Sequence, residues 1–255
     1  DAMALQTDPY STEACRLKAL LAPLTSADPD TTRALDLIKA WDCRLTIDSA
    51  AAALYENWSA RHLGRALVGA ATPPAARPVV GEGYLAGIVV ALERPAEVLP
   101  GFTPAQRDAV LLASLNEAFH ETQGLLGPDP ARWRWGDLHR ALFIPAAARL
   151  ASSALLAQMT VGPLQVRGGA STPAAATWRP TDFGAISGAS VRMVMDVGAW
   201  DNSVAINSPG QSGDPFSAHY RDLFPLWAAG EYFPLLYSRA AVEGATRRVI
   251  ELRPG

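Results

Sequence analysis

The period of the hydrophobic pattern changes once along this chain, and that change limits the fold more than any other feature. Over roughly the first 150 residues the apolar positions recur every three or four, the spacing of helices that bury one side. From about residue 160 they alternate, the spacing of strands with one packed face. Helices first and an antiparallel sheet last make an α+β chain, with residues 1–150 mostly helical and residues 160–255 strand-rich, closing on a helix and a strand. No internal repeat is visible.

The helical part can be read piece by piece. Residues 11–24 carry Ala14, Leu17, Leu20, Leu21 and Leu24 as one stripe. Asp30 or Thr31 caps a short helix through Ala34, Leu35, Ile38 and Ala40. Ser49 precedes a longer helix with Leu54, Trp58 and His62 on one side, which Gly69 is expected to stop. The clearest start is Thr103-Pro104-Ala105-Gln106, a threonine cap, a proline in the first turn and a returning glutamine. Leu111, Leu115, Ala118 and Phe119 form its buried face, and Gly124 is expected to end it. Residues 71–78 read as an Ala/Pro loop, and residues 124–137 as a break holding Trp133-Arg134-Trp135.

In the later part, Val191, Met193, Met195 and Val197 share one face of a strand over residues 190–197, opposite Arg192, Val194 and Asp196. A second strand alternates around Val204 and Ile206, and the corner Gly198-Ala199-Trp200-Asp201 is short enough to pair the two as a hairpin. A helix around residues 218–229 and a closing strand over residues 248–253 complete the expectation.

Composition excludes several classes. With 22 basic and 25 acidic side chains the net charge is −3, which leaves no excess of positive charge for nucleic acid. Residues 84–92 and 145–157 are apolar but too short to cross a bilayer. At 49% apolar the chain is not disordered. Abundant alanine, and arginine in tenfold excess over Lys18 and Lys39, reflects a GC-rich genome rather than an activity. Cys15 and Cys43 are too few for a disulfide framework; they form either a single bridge or two buried thiols.

Tested against known chemistries, the residues assemble no active site by themselves. His62, His120, His139 and His219 do not fall at metal-ligand spacing, and His120-Glu121 lacks the histidine that a zinc-protease helix needs at position 124, which is Gly. They read as surface or hydrogen-bonded structural histidines. No Gly-x-Ser-x-Gly elbow or phosphate-binding glycine loop is present, and Asp28 and Asp30 lie in turn sequence suited to capping. One segment stands apart: Pro209, Gly210, Gln211, Ser212 and Gly213 follow a strand and precede His219-Tyr220-Arg221-Asp222-Leu223. Its glycines and proline make a rigid turn able to present backbone N–H groups, with a structural role as the first expectation.

That loop, with Ser190–Val197, Trp200-Asp201-Asn202, His219-Tyr220, Asp222-Leu223, Trp227 and Gly230, resembles the carboxy-terminal end of penicillin acylase family proteins. Leu5-Gln6-x-Asp8, Trp41-Asp42 and Trp133-x-Trp135-Gly136-x-x-His139 extend the resemblance over essentially the whole chain. It implies an N-terminal-nucleophile amidase, self-cleaved from one precursor into α and β chains, with a four-layer αββα fold. In such enzymes the first serine of the β chain attacks the amide, and a calcium ion often bridges the chains. Residues 1–255 resemble the later half of the β chain, and Asp1-Ala2-Met3 reads as the start of a processed or trimmed piece. The nucleophile, the oxyanion asparagine and the calcium carboxylates are therefore expected upstream, and none is assigned here. Asn202 matches a late corner and is not taken as the oxyanion residue. The resemblance further implies the upstream β segment and the α chain as partners, no nucleic acid or membrane, self-association of a separated piece, and a periplasmic or secreted location. The acyl substrate stays open between penicillins, cephalosporins, N-acyl amides and homoserine lactones. A binding or scaffold module that keeps the fold is the alternative.

Overall fold

A computed structural model describes residues 2–254; the reading of Asp1 lies outside the described residues. The elements run α1 (Ala2–Gln6), α2 (Thr12–Leu21), α3 (Pro29–Ala40) and α4 (Ala50–Asn57). A π-helical turn, Trp58–Leu63, joins α4 to α5 (Gly64–Ala71), followed by α6 (Leu85–Glu93), α7 (Pro95–Val98) and α8 (Pro104–Leu126). Next come α9 (Trp135–Leu138), β1 (Arg140–Phe143), α10 (Ser153–Met159), β2 (Val161–Gln165), β3 (Ala176–Trp178) and β4 (Ala185–Gly188). The chain continues through β5 (Val191–Val194), β6 (Val204–Asn207), α11 (Phe224–Ala229), β7 (Phe233–Pro234) and α12 (Arg239–Ala245). The described residues divide into two units, one of residues 7–142 and 165–188, the other of residues 2–6, 143–164 and 189–254.

The first unit is built around α8. Thr103 accepts the Gln106 N–H and the Gln106 side chain accepts the Thr103 N–H, so both halves of the expected capping box form. Leu111, Leu115, Ala118 and Phe119 are fully buried, the two leucines and the phenylalanine each worth about 1.5–3 kcal/mol of transfer free energy. The helix passes Gly124 and ends at Gly127, whose φ of 94° suits only glycine; Gly124 meets nothing and is tolerated inside. Gly69 likewise fails to stop its helix, which runs to Ala71 ahead of Pro73 and Pro74. The cap of α3 is Asp28 rather than Asp30 or Thr31, because Pro29 takes the first helical position and Asp28 accepts the Thr31 N–H at 2.8 Å. Ser49 caps α4, as the sequence leads one to expect, while the stripe over residues 11–24 becomes α2, capped by Ser11 and ending at Leu21.

Some polar groups inside this core are paired across helices, although Asn57 Oδ1 has no hydrogen-bond partner among the described residues. Asn57 donates to the Ala118 carbonyl and to Thr122 at 3.2 and 3.1 Å. Cys15 and Cys43 form a disulfide with Cα atoms 5.6 Å apart, which settles the choice left open by the sequence. A short sheet closes the unit, with β3 antiparallel to β4 and β4 parallel to β1 at Ala141 and Ala185. The sequence reading lacks these strands: each is three or four residues, too short to show a period.

In the second unit β5 and β6 pair antiparallel, Val191 opposite Asn207 and Val194 opposite Val204, the hairpin expected from their alternation. β7 adds at Val204 and Ala205. Val191 and Met193 lie on the open face, about half exposed. The expected helix over residues 218–229 shortens to α11, because residues 209–223 are held in turns and Gly230 stops the helix in the left-handed region. The expected strand over residues 248–253 is absent: the segment pairs with no strand among the described residues, and Val249, Ile250 and Leu252 are exposed.

Candidate functional site

The loop singled out in the sequence is built by backbone contacts. Gly210 packs so closely on the following turn that a Cβ there would lie 2.4 Å from the His219 carbonyl oxygen and 2.6 Å from the Tyr220 backbone. The Gln211 and Ser212 N–H groups both donate to that His219 carbonyl, at 2.8 and 3.0 Å, and Leu223 N–H donates to the Pro209 carbonyl. Pro209 follows Ser208 through a cis peptide bond, and the Ser212 hydroxyl accepts the Asp214 N–H. The N–H groups of Gln211 and Ser212 are thus consumed internally. Gly213 lies in open space.

Other residues that carry the resemblance tie turns together. Asp201 accepts the N–H groups of Tyr237 and Ser238, both at 2.8 Å; the Ser238 side chain first, and then these N–H groups, hold its carboxyl below the usual range. Asn202 donates to Asp196 at the hairpin corner. Trp227 donates to the Ala189 carbonyl, Tyr220 to that of Met159, and Gln6 joins the Met193 carbonyl to the Tyr232 hydroxyl. In the first unit Trp133 donates to Gly127 and Trp135 to Gly168, while Asp42 accepts the Arg44 N–H.

Each histidine has a partner. His62 meets Glu121 at 2.5 Å and Glu117 at 3.5 Å; burial raises the Glu121 carboxyl, but the hydrogen bond from His62 and the Arg61 charge outweigh it and the carboxyl sits low. His139 stacks on Trp135 with ring centres 4.6 Å apart, and its Nδ1 meets the Phe183 carbonyl at 3.0 Å. Burial holds it neutral, with a pKa pushed down to about 4. His120 lies by Gln123, and His219 by Asp222. Among the described residues no group of three His, Cys, Asp or Glu side chains is placed to hold a metal ion.

One further feature escapes sequence reasoning. A cavity of about 210 Å³ opens in the first unit between the π-helical turn, the start of α6 and the loop before β3. Glu56 reaches it from α4, Ser59, Glu82, Ser171 and Trp178 supply the rest of the polar lining, and Leu85 and Ile88 the apolar wall. Glu56 lies between Tyr55 and Asn57 in a helix buried on every side, so no periodicity marks it.

The sequence model of one family, Penicillin amidase, matches residues 1–244. The chain belongs to the penicillin amidase family of N-terminal-nucleophile hydrolases, whose members are amidohydrolases acting on linear amides. It is 32% identical to the acyl-homoserine lactone acylase QuiP of Pseudomonas putida over 91% of this chain and 31% of that protein. It is 31% identical to the penicillin acylase 2 proenzyme of a Pseudomonas species, over 96% of this chain and 32% of that one. The fold is similar to that of a thermostable penicillin G acylase from Alcaligenes faecalis, with a TM-score of 0.50 and 16% identity over 97% of this chain and 48% of the other. The chain spans about a third of the length of the curated relatives it matches.

Proposed function

We propose that this chain is the later part of the β chain of an acylase that hydrolyses a linear amide, with the nucleophilic serine, its oxyanion asparagine and a bridging calcium site contributed by residues upstream of it. The match over residues 1–244 carries this reading, together with relatives about three times as long. The role proposed for the present residues is to hold the shape of the fold. The internal hydrogen bonding of the Pro209–Gly213 loop supports that, since its Gln211 and Ser212 N–H groups are spent on the His219 carbonyl rather than presented to a substrate.

Two further readings accompany it. The Cys15–Cys43 disulfide supports a periplasmic or secreted location, where such bridges form and persist. The half-exposed Val191 and Met193 support association of this face with the remainder of the β chain or with the α chain, and self-association when the piece is separated.

The test compares residues 1–255 alone with the product of the entire reading frame, using phenylacetyl amides, penicillin G and N-acyl homoserine lactones of several chain lengths. The entire product should release the amine from at least one class and the separate chain from none. Turnover by the separate chain, confirmed by intact mass, would place the catalytic groups within it and overturn the assignment. An inactive entire product would favour the binding-module alternative.

A further inference from the structure

Glu56 is the one carboxylate among the described residues that is nine-tenths buried, at 4% exposed. Its Oε2 accepts the Trp178 indole N–H at 2.9 Å. Its Oε1 makes no hydrogen bond to any described residue, and Glu56 lines the cavity of about 210 Å³. Gly64 lines that space, where a Cβ would press on Glu82 Cβ and Ile88 at 3.0 and 3.1 Å. A Cβ on Gly169, outside the lining, would fall 2.8 Å from Oε1 and 2.9 Å from Leu45.

We propose that this cavity binds a small organic cation, a primary ammonium on a short apolar chain, with its charged end on Glu56. The polar lining consists of the two carboxyl groups of Glu56 and Glu82, the hydroxyls of Ser59 and Ser171, and the Trp178 indole, whose N–H is already given to Glu56; among the described residues no Lys, Arg or His lines it. Acceptors therefore predominate, which selects a donor-rich cation and rejects an anion. Arg65 comes within 3.6 Å of Glu82 at the rim, but among the described residues no cation is paired with Glu56. Leu85, Ile88, Ala60 and Pro180 supply the apolar wall for the alkyl chain. The space equals about seven waters at ~30 Å³ each, room for an alkyl ammonium of about five or six heavy atoms.

The energetics point the same way. A buried carboxyl without a counter-charge is costly in its ionised form. Burial pushes Glu56 up to about 8 against the lowering hydrogen bond from Trp178, so near pH 7 it carries its proton. The titratable neighbours are Tyr55 on the same helix and Glu82 across the cavity, neither of them a cation at that pH. A bound ammonium supplies the missing charge, and the carboxyl proton leaves to the buffer as the ion pair forms. This site is independent of the acylase reading.

The experiment is isothermal titration of the protein expressed from its whole reading frame with n-butylammonium, n-butanol and butyrate, at pH 7 in two buffers of different ionisation heat. Butylammonium should bind more tightly than butanol by about tenfold or more, a difference of about 1.4 kcal/mol. Butyrate should not bind, and the buffer dependence should read a proton released on binding. E56Q keeps an acceptor for Trp178 and should lose the preference for the cation. If E56Q fails to fold, Ser59→Leu, which fills the cavity while leaving the carboxyl in place, should abolish binding. Equal binding of butanol and butylammonium, no saturable butylammonium binding, or an undiminished preference in either variant overturns the proposal.

Discussion

The Trp58 indole N–H donates to the Ser114 hydroxyl at 2.8 Å, inside the core and 56 residues away in sequence. Trp58 opens the π-helical turn and Ser114 sits on the buried face of α8, so one hydrogen bond joins the widened turn to the helix it packs on. Ser114→Ala removes the acceptor and strands a buried N–H. Urea denaturation should then show a loss of about 1–3 kcal/mol, while Trp58→Phe in the same background should add less than its cost in the native protein. Strictly additive losses would mean that the bond contributes nothing.

The bridge between Cys15 and Cys43 spans 28 residues and ties α2 to the segment after α3. A closed loop of that size restricts the unfolded chain by about 3.6 kcal/mol in the entropic account. The double variant Cys15→Ser/Cys43→Ser should unfold at lower denaturant, and adding a reductant to the native protein should reproduce that midpoint. A variant as stable as the oxidised protein would contradict the estimate.

Glu56 and His139 make stability depend on pH with opposite signs. Glu56 keeps its proton up to about pH 8 in the folded chain but loses it near 4.5 when unfolded. Between those values the folded state holds the extra proton, so stability falls as pH rises. His139 is kept neutral down to about pH 4, whereas the unfolded histidine protonates near 6.5. Stability therefore falls as pH drops through that window. E56Q should flatten the alkaline limb and His139→Phe the acid limb, each read as the slope of unfolding free energy against pH. Unchanged slopes would show that neither group is held as described.

The glycines of the 209–213 loop should respond unequally. Gly210→Ala drives a Cβ into the His219 and Tyr220 backbone, and the adjustment should cost about 1–3 kcal/mol with loss of protection at Gln211 and Ser212 in hydrogen exchange. Gly213→Ala meets open space and should change little.

The elements legible in the sequence are those whose signals are local. The Thr103–Gln106 box, the start after Ser49 and the alternation through Val191 and Val204 each write their structure within a few residues. Misplaced boundaries have an equally local cause. Gly69 and Gly124 lie on helix surfaces with room around them, so the stops fall to the proline pair at 73–74 and to the positive φ of Gly127. What stayed hidden depends on distant partners. The parallel pairing of Ala141 with Ala185 and the approach of Trp178 to Glu56 cross 44 and 122 residues, and no window along the chain contains both ends. Within the candidate site the 209–213 loop was legible as a rigid turn from its glycines and proline. The cavity was not, because its polar lining comes from Glu56, Glu82 and Ser171 on separate elements.

The order of synthesis adds a consequence to that last separation. The ribosome makes Glu56 122 residues before the indole that accompanies it, an interval of about 6–24 s at ~5–20 residues per second. During that interval α4 and α8 can already dock, while the carboxyl waits without its donor. The helical unit also lacks residues 165–188 until the ribosome has passed through residues 143–164, which belong to the other unit. A nascent chain halted before Trp178 should therefore expose Glu56 to solvent and let it ionise, so that its proton is taken up only once translation has passed that tryptophan.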